Sequence, residues 1–118
     1  MSRIVKIFLL IILAAVLGVP SAEAAKTPTL KMLSTTTCPA CKQMSKVLEE
    51  IDAKYSGKLA TEHINLEDNP DIARRYNVRY VPTLIFVDAQ GVEVAQEVGY
   101  RTLPQVLDIF RKAGVSIQ

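Results

Sequence analysis

The chain has 118 residues, with 14 Lys and Arg against 12 Asp and Glu and a formal net charge of +2. That length holds a single domain, and so even a balance leaves no electrostatic footprint for nucleic acid or an acidic substrate. With no Trp and an aromatic share of 6%, neither a stacking platform nor an aromatic cage is expected.

Residues 1–24 read as a secretory signal peptide. Arg3 and Lys6 make a short positive start, Ile7 to Val19 is an apolar run broken only by Gly18, and Pro20 ends it. Ser21-Ala22-Glu23-Ala24 then sets small residues at Ala22 and Ala24, the pattern that signal peptidases cut. Cleavage is expected between Ala24 and Ala25, leaving residues 25–118 as the mature domain in the bacterial periplasm. The second reading is a retained membrane anchor through residues 7–19, although a spanning helix needs roughly 20 residues. Disulfides persist outside the cytoplasm. The chain has two cysteines, Cys38 and Cys41, and they can make one bridge at most.

Along the mature chain, Ala25 to Thr29 reads as a disordered lead. Leu30-Lys31-Met32-Leu33 opens a strand that ends in the hydroxyl-rich stretch Ser34 to Thr37. From Pro39 the period changes. Met44, Val47, Leu48 and Ile51 fall at i, i+3, i+4 and i+7 and form the apolar stripe of a helix. Lys46, Glu50 and Lys54 alternate in sign on its wet side, and Tyr55-Ser56-Gly57 closes it. Leu59 to Leu66 reads as a second strand. Asn69-Pro70-Asp71 opens a short helix with an N-cap, a first-position proline and an acid in the first turn; this helix ends near Tyr76-Asn77. Thr83 to Val87 is a dense apolar strand, Asp88 to Gly91 a turn, and Val92 to Val98 the returning strand of a hairpin. Thr102 and Gln105 form a capping box ahead of a last helix whose stripe is Leu103, Val106, Leu107 and Phe110, ended at Gly114. The order is β-α-β-α-β-β-α, an α/β class with a mixed four-stranded sheet and helices on its faces. A strand, a crossover helix and a strand make a parallel start, and the closing hairpin adds an antiparallel edge.

The chemical centre is Cys38-Pro39-Ala40-Cys41. Spacing of i, i+3 at a helix start sets both sulfurs on one side of the first turn, close enough to bond. Cys38 is expected to stand exposed at the helix N-terminus, where free N–H groups and the dipole favour a thiolate. Cys41 lies one turn in, beside Met44 and Leu48, and is expected to be shielded. Cys38 then attacks a substrate disulfide and Cys41 resolves the mixed disulfide, with Pro39 at a position where no N–H is needed. Other uses of the pair stay beside this one. Zinc needs four ligands, and His63 is the single histidine. Copper(I) accepts two thiolates, so a soft-metal carrier is a rival reading. An inert bridge would close too short a loop to stabilise much.

Taken together, several pieces resemble the thioredoxin superfamily over Leu30 to Ala113. They are the strand running into the dithiol, Asn65-Leu66-Glu67-Asp68-Asn69-Pro70, Tyr76-Asn77-Val78-Arg79-Tyr80-Val81-Pro82-Thr83, and Val98-Gly99. The resemblance implies the minimal form of that fold, without the first strand and helix of full thioredoxins. It implies a cis peptide bond between Val81 and Pro82, facing the dithiol, and pairing of an extended substrate with Val81, Pro82 and Gly99. It implies a protein-disulfide oxidoreductase; with the signal segment, the expectation is an exported protein, a monomer using no cofactor or metal beyond its own redox-active disulfide and drawing electrons from a membrane partner. A disulfide-introducing oxidase is the alternative, with the copper carrier behind it. The chain also departs from the pattern. Thr37 stands where the family has Trp before the first cysteine, and Met32 where it buries an acid beneath the second. His63 stands in place of a lysine near the dithiol; a lone strand histidine reads first as a surface residue, with proton transfer as the functional alternative.

Overall fold

The computed structural model describes residues 26–117; the segment read as a signal peptide lies outside them. The elements follow as β1 (Thr29–Ser34), α1 (Pro39–Lys54), β2 (Ala60–Asn65), α2 (Pro70–Arg75), β3 (Thr83–Val87), β4 (Glu93–Val98) and α3 (Leu103–Lys112). They build one four-stranded sheet in the order β2-β1-β3-β4. β1 and β2 are parallel, Met32 opposite His63 and Ser34 opposite Asn65, with α1 as the crossover that a parallel pair requires. β3 runs antiparallel to both β1 and β4.

The two faces of the sheet bury different residues, as alternation along a strand dictates. Leu30 and Met32 of β1 and Leu84 and Phe86 of β3 face α1 and α3, where Met44, Val47, Leu48, Ile51, Leu103, Val106 and Phe110 complete the main core. Leu33, Ile85 and Val87 face the opposite way and pack with Ile64, Leu66, Ile72, Tyr76 and Val78 on the α2 side. β3 is buried along its whole length, because neighbours flank it and helices cover both faces. Phe86 and Phe110 meet edge to face with ring centroids 4.9 Å apart, an arrangement that adds about 0.5–1.5 kcal/mol to the burial itself.

Two local expectations change. Thr29 belongs to β1 and not to a loose lead, because β1 pairs from its first residue with Ala60 and Val87. Asn69 occupies the N-cap position of α2 but makes no side-chain cap; its amide donates instead to the Asn65 carbonyl at 2.9 Å, which ties the helix start to the end of β2. The capping box of α3 forms in full, with the Gln105 N–H donating to the Thr102 hydroxyl and the Thr102 N–H to the Gln105 side chain.

Candidate active site

β1 ends at Ser34, and three threonines carry the chain to Cys38, the N-cap of α1. Cys38 has extended backbone angles, its carbonyl accepts from the Lys42 N–H at 3.2 Å, and Pro39 fills the first helical position. Cys38 and Cys41 are joined as a disulfide with their Cα atoms 5.1 Å apart. The Cys41 backbone N–H donates to the Cys38 sulfur at 3.1 Å. That sulfur therefore takes the place of the oxygen in an ordinary N-cap, at the positive end of the helix.

Exposure does not distinguish the two sulfurs as the sequence leads one to expect. Cys38 is 7% exposed and Cys41 4% in the bridged state. The difference between them lies in bonding: Cys38 receives a backbone N–H, while Cys41 is the residue that supplies it.

A cleft of about 330 Å³ opens beside the bridge, lined by Ser34, Cys38, Cys41, Lys42, Ser45 and His63 among others. His63 is exposed on β2, and its Nε2 lies 2.6 Å from the hydroxyl of Ser34, which is itself 2% exposed. Met32 is fully buried in the main core and brings no ionisable group. Glu67 holds the loop between β1 and the dithiol. The Thr36 N–H donates to one carboxylate oxygen at 3.0 Å and the Thr36 hydroxyl to the other at 2.8 Å. These bonds, the backbone one first, keep Glu67 below the usual carboxylate range. Among the described residues, no group of three or more His, Cys, Asp or Glu is placed to hold a metal ion.

The second group of anticipated site residues gathers at the same end of the sheet. The Val81–Pro82 peptide is cis, and Pro82 is buried just before β3. Antiparallel pairing sets Thr83 opposite Leu33, so Pro82 comes beside the end of β1 that leads to the dithiol. Gly99 donates its N–H to the Pro82 carbonyl at 2.8 Å with φ +96. A Cβ there would meet only Arg101 Nη1 at ordinary contact distance, so this backbone conformation is what calls for glycine. Flanking these residues, Tyr80 is 71% exposed, Val98 49% and Tyr100 40%.

Several contributors escape a reading of the residues alone. Ser34 and Glu67 act across pairs 29 and 31 positions apart, and spacing cannot show such pairs. Tyr80 and Tyr100 carry the one signal a sequence could offer, as large apolar residues beside Pro82 and Gly99.

Comparison with known proteins agrees with this geometry. A model of the thioredoxin-like domain family matches residues 19–114. The thioredoxin of Staphylococcus aureus is 40% identical over 77 residues, spanning 62% of this chain and 72% of its own. Thioredoxin 1 of a Nostoc species is 37% identical over 73 residues, 60% of this chain and 68% of its own. For the thioredoxin of Thiocapsa roseopersicina the figures are 36% over 59 residues, with 50% and 65% covered; the matched stretch is thus about two thirds of these relatives' length. Among solved structures, chloroplastic thioredoxin z superposes with a TM-score of 0.68 at 18% identity, covering 75% of this chain and 80% of its own. The chain has the minimal thioredoxin fold and belongs to the thioredoxin-like domain family.

Proposed function

We propose that this protein is an exported thiol–disulfide oxidoreductase that reduces protein disulfides. The observation that carries the reading is the N-cap position of Cys38, with a backbone N–H already aimed at its sulfur. A thiolate there gains both the hydrogen bond and the helix dipole, the combination that lowers cysteine pKa values. The Cys38 thiolate attacks one sulfur of a substrate disulfide, a Cys38–substrate bond forms, and the other substrate sulfur leaves as thiolate. Cys41 loses its proton and attacks Cys38; the Cys38–Cys41 bond forms and the second substrate thiolate departs. The substrate gains two electrons and the protein is left oxidised, so a donor must return two electrons, and a membrane partner suits an exported chain. An extended substrate segment docks along Val81, Pro82 and Gly99, with Tyr80, Val98 and Tyr100 as its apolar surround.

Export rests on residues 1–24. N-terminal sequencing of the periplasmic protein is expected to begin at Ala25; a chain starting at Met1 in the membrane fraction would replace cleavage with anchoring. The mature domain works as a monomer and needs no cofactor besides its own dithiol.

Direction is read from the redox potential. Equilibration with glutathione is expected to place the Cys38–Cys41 couple toward the thioredoxin end of the family range, about −270 mV, with catalysed reduction of insulin alongside. A potential near the oxidase end, about −120 mV, with dithiol substrates being oxidised, would overturn the reductase assignment.

A further inference from the structure

Resolution of the mixed disulfide needs the Cys41 thiol to lose a proton, and among the described residues the core beneath the dithiol holds no buried carboxylate. Met32 is fully buried there. Ser34 is nearly enclosed, and its hydroxyl is bonded to Nε2 of His63, whose ring reaches solvent. Both residues line the cleft that also holds Cys38 and Cys41. The sheet dictates this meeting. Met32 and Ser34 face α1, and the parallel register sets His63 opposite Met32, so His63 shares that face.

We infer that Ser34 and His63 form a proton relay serving Cys41, an assignment that rests on the dithiol mechanism proposed above. The Cys41 proton passes to the Ser34 oxygen as the Ser34 hydroxyl proton passes to His63 Nε2. The Cys41 thiolate then forms its bond to Cys38 while the Cys38–substrate bond breaks. The departing substrate thiolate takes a proton from solvent, to which His63 returns its own. Imidazole suits the exposed end because a ring nitrogen can accept a proton while the residue stays open to solvent. Other charged groups on this side are accounted for. Lys42 lines the cleft; Asp52 of α1 is bonded by Thr61, two residues before His63; Glu49 stands one turn beyond Ser45 on α1. Lys31 and Glu62, paired with each other, lie on the opposite face of the sheet, and Glu67 is taken up by Thr36.

An aromatic disulfide that releases a coloured thiolate separates the two half-reactions, since attack by Cys38 frees one thiolate and resolution by Cys41 frees a second. In stopped flow at pH 7, Ser34→Ala and His63→Gln are each expected to slow the second release about 10-fold or more, within the usual reach of general acid–base groups. The first release stays within about 2-fold, Ser34→Thr restores the second, and the deficit closes above about pH 9, where hydroxide removes the proton directly. Equal second-phase rates in wild type and in either variant at pH 7 would overturn the relay, as would a deficit that persists unchanged to high pH. Melting temperatures of the three variants identify any that fails to fold, and Ser34→Thr and His63→Gln keep the test decisive if Ser34→Ala is lost. Failure of the underlying dithiol mechanism looks different: release is then single-phase in wild type, or the first phase survives in Cys38→Ser.

Discussion

Glu67 shows how one exposed side chain shapes the approach to the dithiol. Its two oxygens take the N–H and hydroxyl of Thr36, two residues before Cys38, and its pKa is lowered by those bonds. A carboxylate whose folded pKa is depressed contributes stability that is present above its unfolded value and lost as pH falls through the folded one. Glu67→Gln cannot ionise. Wild type is therefore expected to melt higher than this variant at neutral pH, with the gap closing as pH drops below 4.5, the ordinary glutamate value. A gap that stays constant from pH 7 to pH 3, followed by circular dichroism, would mean that the carboxylate charge is not what holds the loop. Asp108 behaves in the same direction, its pKa lowered by Lys112 and then Arg111. Asp108 is present in both proteins, so its contribution cancels in the gap between them.

At the scale of elements, α3 offers a comparison between a cap and a core contact. Thr102 closes the capping box at its start, and loss of such a side chain typically costs about 1 kcal/mol. Phe110 is fully buried against Phe86, and truncating a buried Phe costs about 3–5 kcal/mol through lost transfer energy and the cavity left behind. Urea unfolding is expected to rank Phe110→Ala well below Thr102→Ala, and equal losses would show that α3 is held by its cap more than by its apolar stripe. Both features were legible from the residues. The stripe Leu103, Val106 and Phe110 has helical spacing, and Thr102 with Gln105 has the spacing of a capping box. Met44, Val47, Leu48 and Ile51 likewise fall where α1 meets the core. The start of β1 was less legible, because Thr29 joins the sheet through partners on two other strands and local composition does not contain them. Asn69 shows the same limit in reverse: it has the right residue type for a cap, yet its side chain is taken by Asn65.

Across the whole molecule, one end of the sheet gathers what the chemistry needs. The parallel β1–α1–β2 unit brings Cys38 and Cys41 beside His63, and the antiparallel pairing of β3 brings Pro82 and Gly99 to the same end. The dithiol itself was readable from spacing, since a local motif carries its own geometry. Ser34 and Glu67 were not, because each acts through a residue about thirty positions away. Sequence also led one to expect an open Cys38 above a hidden Cys41, whereas both are covered in the oxidised state. The proposed division of roles thus rests on the N–H that Cys41 gives to Cys38. The most direct test of that division is capture of substrate proteins on single-cysteine variants, read by mass spectrometry of the linked peptides. Cys41→Ser is expected to accumulate mixed disulfides through Cys38, and Cys38→Ser to accumulate few or none. Equal capture by both variants, or capture through Cys41 alone, would contradict the account.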